Sequence, residues 1–304
     1  MFSFLPGAVR GVFSILFYTA NTFFWCIPLY TVSILKLFIP LPAFRRLCNR
    51  VLIRISFAWI WCNNFNQDLF HKLDIVVQGA EGLKPDDWYL VISNHQSWVD
   101  ILILQRIFYR KIPFLKFFLK KELIWVPVLG LAWWALDFPF MKRYSGAFLK
   151  KNPHLKGKDI EITRKACKKF SETPVSVMNF LEGTRFTSHK HQSQQSPYAR
   201  LLKPKAGGIA FVLAAMGDYL NSIVNVTIAY PPGPKSFWDF LCGRVIRVRV
   251  HVEVLPITDL LIGDYFEDEN FRDRFQVWVN DLWEAKDQRV ADLDRELVTV
   301  VPDN

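Results

Sequence analysis

His95 and Asp100 are the two residues whose types and spacing could support acid–base chemistry in the stretch NHQSWVD. On a single α-helix, five positions turn through about 500°, which would leave the two side chains about 140° apart. They can therefore meet only if His95 lies before the helix that carries Asp100. The carboxylate could then orient one imidazole nitrogen while the other removes a proton from an alcohol, whose oxygen attacks an acyl group.

The sequence around this pair predicts a strand, a tight turn and a helix. Residues 88–92 are mostly apolar, residues 93–97 are mostly polar, and an apolar run with helical spacing starts at Trp98. Ser97 is predicted to be the N-cap of that helix. A serine followed three positions later by Asp100 is also a capping-box-like pattern, so the carboxylate could have a structural role instead. This stretch alone leaves both roles open.

A second apolar run, residues 175–180, predicts another strand, and Glu182, Gly183, Thr184 and Arg185 form the loop beyond it. Functional loops of open α/β sheets lie at the carboxyl ends of strands, so this loop and the first turn have equivalent positions. Gly183 would allow a close approach of the backbone to a ligand. The planar guanidinium of Arg185 suits bidentate phosphate binding, although a salt bridge between Glu182 and Arg185 is the structural alternative.

The composition favours an anionic partner. The chain of 304 residues is 51% hydrophobic and has a net charge of +10. Residues 101–170 contain sixteen Lys or Arg against four Asp or Glu. A basic segment of this kind fits an anionic phospholipid membrane or an acidic substrate, whereas no nucleic-acid-binding module is visible. The five cysteines are scattered, which predicts neither a disulfide framework nor a zinc site.

The N-terminal region has the pattern of a membrane element. No residue from Gly11 to Leu35 is charged, and these 25 residues would form a helix about 38 Å long, enough to span a bilayer. Basic residues follow this segment, and the first acidic residue is Asp68. The excess of positive charge on that side predicts that the remaining chain lies in the cytoplasm.

Proline residues within this region leave a second arrangement open. Pro28 and an apolar run over Val51–Trp61 are also compatible with a helical pair that dips into one leaflet and returns. In either case, residues 1–65 are predicted to form a membrane-associated helical segment. Residues 66–304 are predicted to form an α/β catalytic domain, with residues 73–78 as an edge strand.

Several ordered motifs together resemble the glycerolipid acyltransferase family, which includes lysophosphatidic acid acyltransferases. They are NHQSWVD, KKEL at 120–123, FMKR at 140–143, EGTR at 182–185 and VTIAYPP at 226–232. The resemblance covers roughly residues 70–260, and it implies a mixed sheet flanked by helices. The stretches WALDFPFMKRYS and KPKAGGIA further resemble a bacterial inner-membrane member of that family.

The resemblance implies a role for each matching position. His95 would be the general base and Asp100 would hold its imidazole. The acceptor phosphate would be bound by Arg185 and Lys120, with Arg143 as an additional contact. The remaining implied positions are Glu182, Gly183 and Thr184, close to the glycerol hydroxyls, and Pro231, near the acyl donor.

The reaction implied by the resemblance moves a fatty acyl chain from an acyl-CoA or acyl carrier protein thioester to a lysophospholipid hydroxyl. With 1-acyl-glycerol-3-phosphate as acceptor it would produce phosphatidic acid, without a metal or redox cofactor. Residues 150–158 and 188–203 are insertions relative to plainer members, and the second directly follows the predicted phosphate-binding loop. Another acceptor headgroup, hydrolysis of the thioester, and a non-catalytic membrane tether therefore remain alternatives.

Overall fold

The fold combines an N-terminal helical hairpin with a mixed α/β sheet. A computed structural model describes residues 2, 4–141, 161, 164–165, 167, 170, 173–233 and 236–295. The predicted insertion at residues 150–158 lies outside the described residues. Of the predicted elements, the mixed sheet flanked by helices and the long apolar N-terminal helix are confirmed.

The hairpin consists of helix α1, Gly7–Phe38, and helix α2, Pro42–Phe70. Helix α1 continues through Pro28 and is long and apolar enough to cross a membrane. The predicted boundary at Asn66 falls inside α2, and the sheet begins only at Asp74. Because α2 begins at a proline, the first helical position lacks an N–H that would have no partner within the helix in any case.

The hairpin has polar side chains between its two helices and large apolar side chains on its outer surface, which is the opposite of a helix pair in a soluble protein. The side-chain nitrogen of Asn21 donates to Asn63 Oδ1 at 2.8 Å, and the side-chain nitrogen of Asn66 donates to Ser14 Oγ at 3.0 Å. Both hydrogen bonds join the two helices. The outer surface of α1 instead exposes large apolar side chains, including Phe13, Leu16, Phe23, Phe24, Ile27 and Phe38. Small polar residues inside and large apolar residues outside are typical of helices that pack together in lipid.

The two open ends of the hairpin meet on the same side of the molecule. The backbone N–H of Phe2 donates to Leu69 O at 2.7 Å, and the guanidinium of Arg10 donates to Phe70 O at 3.4 Å. Helix α1 also packs on a short helix, Phe237–Leu241, which lies in the chain between the last two strands of the sheet. The start of the chain therefore lies beside the α/β part of the protein.

The main sheet has six strands in the order β1-β8-β7-β2-β6-β3. All neighbours are parallel except β7 and β8, which are antiparallel. The predicted edge strand at residues 73–78 is confirmed as β1. The strand bounds are β1 Asp74–Gln78, β2 Tyr89–Ser93, β3 Leu115–Phe117, β6 Ser176–Phe180, β7 Ser222–Ala229 and β8 Arg247–Pro256. Strands β4, Leu119–Lys120, and β5, Phe140–Met141, form a separate parallel pair.

The sheet separates two hydrophobic cores, as expected for parallel strands covered on both faces. Alternate residues of β2 face opposite sides, with Leu90 and Ile92 in one core and Tyr89 and Val91 in the other. The helices that complete the fold are α3 Val99–Ile107, α4 Leu129–Ala135, α5 Ser188–Ser193, α6 Ala206–Met216, α7 Phe237–Leu241 and α8 Glu269–Arg295. Helices α6 and α8 cover the first core, and α3 and α7 cover the second.

Candidate active site

Three parallel strands bring their carboxyl ends to one edge of the sheet. Ser93 at the end of β2 is in register with Phe180 in β6 and with Val226 in β7. Asn94 fastens the turn after β2 to β7: its side-chain oxygen accepts the N–H of Ile228 and its side-chain nitrogen donates to Ile228 O, both at 2.9 Å. The turns after β2 and β6 therefore meet the last residues of β7.

His95 and Asp100 form a direct contact at this edge. Nδ1 of His95 lies 2.8 Å from Asp100 Oδ2, and the carboxylate is completely buried. The same oxygen accepts the backbone N–H groups of Gln96 at 2.7 Å and Ser97 at 3.0 Å. Because an ionised carboxylate can only accept hydrogen bonds, Nδ1 carries the imidazole proton.

Helix α3 begins one residue later than predicted. Its N-cap position is Trp98 and not Ser97, whose hydroxyl accepts the N–H of Val99 at 3.3 Å. The carboxylate of Asp100 in the first turn takes up the free N–H groups that precede the helix, which stabilises the helix start. The capping role and the orienting role are therefore compatible, because one carboxylate performs both.

Tyr230 is a further partner of Asp100 that our sequence interpretation missed. Its hydroxyl donates to Asp100 Oδ1 at 2.6 Å, so both carboxylate oxygens are occupied. Burial and the neighbouring Asp100 carboxylate raise the pKa of Tyr230 well above its usual value, which keeps the hydroxyl a donor. A tyrosine directly after a buried strand that ends at the site is the sequence signal that could have identified it.

The imidazole of His95 is held by ring contacts. It stacks on Phe180 with ring centroids 3.9 Å apart and an interplanar angle of 12°, and Trp98 meets it edge-on at 6.5 Å. The contact between Nδ1 and Asp100 leaves Nε2 on the far side of the ring. A side chain that retains a little exposure can offer this nitrogen to a substrate hydroxyl.

Glu182 lies in the interior of the protein, next to the turn that contains His95. Its side chain is completely buried, and its two carboxylate oxygens accept the backbone N–H groups of His95 at 2.9 Å and Leu202 at 3.2 Å. Burial raises the pKa of Glu182 to about 8, and the two N–H donors lower it. The carboxylate therefore holds the turn at His95 from inside the protein, and its place near the glycerol hydroxyls stays a prediction.

The loop after β6 returns directly to His95. Gly183 has a φ of +67°, a conformation that favours glycine. The backbone N–H of Phe186 donates to His95 O at 2.7 Å. The guanidinium of Arg185 lies 4.4 Å from the ring centre of Trp98. Because the oxygens of Glu182 accept backbone N–H groups instead, the alternative of a salt bridge between Glu182 and Arg185 is not formed.

Helix α8 supports the site from outside the motifs. The indole N–H of Trp283 donates to Leu202 O at 3.0 Å, and the carboxylate of Asp287 accepts the N–H groups of Ala199 at 2.9 Å and Arg200 at 2.8 Å. Helix α8 is thus an anchor for the segment whose Leu202 N–H donates to the buried Glu182.

Lys286 on the same helix is completely buried. Its ammonium donates to Val226 O at 2.6 Å and contacts Thr227 Oγ1 at 3.3 Å in β7. Burial lowers the pKa of Lys286 to about 7, while the carboxylates of Glu182 and Glu253 raise it. The core beneath the catalytic turn therefore contains a basic and an acidic side chain with opposite pKa shifts.

The other predicted site residues are placed as follows. The hydroxyl of Thr184 accepts a hydrogen bond from Lys190 Nζ at 2.7 Å. Pro231 directly follows Tyr230 at the carboxyl end of β7, beside the catalytic pair. Lys120 lies on β4 and pairs with Met141, and the position of its side chain is outside what the structure describes. Arg143 lies outside the described residues.

Comparison with known proteins assigns the part of the chain that contains this site to a protein family. The sequence model of the family described as Acyltransferase matches residues 74–230, which are 157 of the 304 residues. The matched range begins at β1 and ends at Tyr230, so it includes both turns and the residue that contacts Asp100. Helix α8 and the hairpin lie outside it.

Individual relatives agree with that match. Over 300 residues the chain is 24% identical to lysocardiolipin acyltransferase 1 of Mus musculus, covering 92% of this chain and 73% of that protein. Over 190 residues it is 29% identical to 1-acyl-sn-glycerol-3-phosphate acyltransferase alpha of Bos taurus, covering 61% of this chain and 54% of that protein. The match therefore spans little more than half the length of the bovine relative.

The fold is similar to that of a solved structure. The crystal structure of the 1-acyl-sn-glycerophosphate (LPA) acyltransferase PlsC from Thermotoga maritima matches with a TM-score of 0.52 and 16% identity. This match covers 98% of the present chain and 100% of that chain. The family model that covers both turns and the individual relatives lead to one conclusion: the chain belongs to the glycerolipid acyltransferase family.

Proposed function

We propose that the protein transfers a fatty acyl chain from an acyl-CoA or acyl carrier protein thioester to the free hydroxyl of 1-acyl-glycerol-3-phosphate, giving phosphatidic acid. The observation that carries this proposal is the contact between His95 Nδ1 and Asp100 Oδ2 at 2.8 Å, with Arg185 on the neighbouring turn. The pair supplies a base for an alcohol, and the guanidinium supplies a ligand for the acceptor phosphate.

The proposed reaction begins with proton removal by His95. Nε2 takes the proton of the acceptor hydroxyl as its oxygen attacks the thioester carbonyl carbon, and Asp100 stabilises the imidazolium that forms. The tetrahedral intermediate then collapses, the C–S bond breaks, and the imidazolium returns the proton to the leaving thiolate. An ester and a free thiol are the products, and no step uses a metal or a redox cofactor.

The proposed phosphate ligands are Arg185 and Lys120, with Arg143 as an additional contact. The name of the bovine relative, a 1-acyl-sn-glycerol-3-phosphate acyltransferase, supports 1-acyl-glycerol-3-phosphate as the acceptor. The name of the mouse relative, a lysocardiolipin acyltransferase, favours the alternative of another lysophospholipid headgroup. Both alternatives use the same base and the same chemistry at the hydroxyl.

The proposed reaction is tested by acyl transfer from labelled oleoyl-CoA and oleoyl-acyl carrier protein to a panel of lysophospholipids. We expect the purified, detergent-solubilised protein to label phosphatidic acid most rapidly. Rapid labelling of a different phospholipid would move the assignment to that headgroup. Label in free fatty acid alone would indicate a thioesterase, and no label with either donor would support a non-catalytic tether.

We further propose that the protein acts at a bacterial inner membrane, with the α/β domain on the cytoplasmic side. The apolar outer surface of α1, the basic charge that follows it and the 85% exposure of Trp125 support contact with anionic lipid. The hydrogen bond from Phe2 to Leu69 O supports the helical pair, because it keeps the N-terminus beside the α/β domain.

Tags at the two chain ends are expected to be accessible from the same face of sealed membrane vesicles. A helical pair that enters and returns leaves both ends on the cytoplasmic side, whereas a single span by α1 separates them. The measurement is protease cleavage of N-terminal and C-terminal epitope tags in inside-out and right-side-out vesicles. Cleavage of the two tags from opposite faces would establish a single span and contradict the helical pair.

A further inference from the structure

The segment from Arg185 to Lys205 is basic and contacts the turn that contains His95. It contains five Lys or Arg residues and no Asp or Glu. Both of its ends reach that turn: Phe186 N–H donates to His95 O, and the side-chain amide of Gln96 donates to Arg200 O at 3.3 Å. Three of its five basic residues, Lys190, Arg200 and Lys203, lie in the predicted insertion at residues 188–203.

Lys190 brings one ammonium from α5 onto the loop after β6. Its Nζ donates to Thr184 Oγ1 at 2.7 Å and to Arg185 O at 3.1 Å, and the side chain is only half-buried. An ammonium has three N–H donors. Two are used by the loop, which leaves one for a ligand bound next to Arg185.

Lys205 brings a second ammonium to the same loop from the other end of the segment. A Cβ atom on Gly183 would lie 3.1 Å from Cδ and 3.2 Å from Nζ of Lys205, so the lysine crosses directly over the glycine. The backbone N–H of Lys205 donates to Leu181 O at 2.7 Å, which fixes where this side chain starts.

The loop from Gly183 to Arg185 therefore has three cationic groups close to it: the guanidinium of Arg185 itself and the ammonium groups of Lys190 and Lys205. Within the described part of the chain, none of the cationic groups of Arg185, Lys190 and Lys205 has a carboxylate partner. The nearest acid in sequence, Glu182, is directed to backbone N–H groups in the interior. Like charges brought together without counter-charges favour an anion at that place.

The number of cations distinguishes between two kinds of phosphate. A phosphomonoester carries about −1.5 to −2 at neutral pH and has three oxygens that accept hydrogen bonds. A phosphodiester headgroup carries one negative charge per phosphate, which a single arginine can balance. Further cations beside the arginine therefore favour the more highly charged and less substituted group.

We propose that Lys190 and Lys205 make the site selective for acceptors with a terminal phosphomonoester over acceptors with a phosphodiester headgroup. This inference rests on the proposed function, because it assigns the headgroup specificity of the same acyl transfer. Arg185 binds any phosphate, and the two lysines add the contacts that a terminal phosphate can use.

The test compares kcat/KM of Lys190→Met and Lys205→Met with wild type for lysophosphatidic acid and for lysophosphatidylglycerol. Each substitution is expected to lower kcat/KM for lysophosphatidic acid about tenfold, through KM, because one charge-assisted hydrogen bond is lost. The value for lysophosphatidylglycerol should change less than about twofold. Lys190→Arg should recover most of the lost selectivity.

Lys203→Met is the matched control, because Lys203 is exposed on the side of the segment that faces Asn280 and Glu284 of α8. It should leave the ratio of the two kcat/KM values unchanged. Equal losses for both acceptors would reduce the lysines to a structural role, and unchanged values for both would remove them from the headgroup site. A larger loss for lysocardiolipin, which has two phosphodiesters, would also overturn the proposal. Absence of transfer by wild type to every acceptor would instead contradict the proposed function.

Discussion

Replacement of His95 by alanine is expected to lower kcat by at least about 10³-fold while the protein stays folded. The imidazole is the proposed base for the acceptor hydroxyl, and a positioned general base contributes about 10²- to 10⁴-fold to a rate. The backbone contacts of His95, from its N–H to Glu182 and from Phe186 to its carbonyl, do not involve the side chain. The measurements are steady-state acyl transfer and the circular dichroism melting curve.

His189→Ala is the control for this substitution. His189 is an exposed histidine on α5, so removal of its imidazole tests whether loss of any histidine near the loop matters. We expect its kcat to stay within about twofold of wild type, as for most surface substitutions. If His95→Ala retained wild-type kcat with an unchanged melting curve, His95 would not be the base and the mechanism would be wrong.

The catalytic turns could be predicted from the sequence because they are local. The strand, turn and helix around His95 each depend on neighbouring residues, and the angle between positions five apart on a helix required the histidine to precede α3. The polar cluster at 182–185 is likewise adjacent to its own strand. Since parallel strands end at one edge, the two turns could be expected to meet there without knowledge of the strand order.

The supporting contacts could not be predicted because they join residues far apart in sequence. The bond between Tyr230 and Asp100 spans 130 positions, and the contact between Glu182 and His95 spans 87. The sequence of α8 likewise does not show that Asp287 accepts N–H groups from the predicted insertion. A charged motif residue such as Glu182 suggests a ligand contact, whereas its burial gives it a backbone-holding role.

The helical hairpin illustrates a different limit. Its apolar length is visible in composition, and both a span and a returning pair satisfy that length. The contact that bears on this choice, between Phe2 and Leu69, is a property of the folded chain. The inward direction of Asn21 and Asn66 also depends on how the two helices are rotated against each other. Sequence therefore predicts the helices better than their arrangement.

Replacement of Asp100 by asparagine is expected to lower kcat about 10³- to 10⁴-fold with little change in the KM of the acceptor. The amide oxygen can still accept the N–H groups of Gln96 and Ser97, so the turn should keep its shape. A neutral amide does not stabilise the imidazolium of His95, and losses of this size follow when the carboxylate of a histidine-based catalytic group becomes an amide. Acyl-transfer kinetics with lysophosphatidic acid measure this effect, with binding of the acceptor as a separate readout.

Asp218→Asn is the matched control, because Asp218 is exposed and lies near the start of β7, at the sheet edge opposite the catalytic turn. Its kcat should equal that of wild type. A wild-type kcat for Asp100→Asn would assign the carboxylate a capping role alone. If Asp100→Asn unfolded substantially, its kinetics would not distinguish the capping of α3 from the orientation of His95. A variant that removes only the partner of Asp100 Oδ1 then separates these two roles.

Tyr230→Phe is that variant, because it removes the hydrogen bond to Asp100 Oδ1 and leaves the carboxylate charged. We expect about a tenfold loss in kcat, since a buried acceptor without its partner costs about 1–3 kcal/mol and the carboxylate loses its fixed orientation. If Tyr230 acts only through Asp100, the double variant Asp100→Asn/Tyr230→Phe should be scarcely slower than Asp100→Asn alone. Multiplied losses in the double variant would mean that Tyr230 acts independently, beside Pro231 at the proposed donor end of the site.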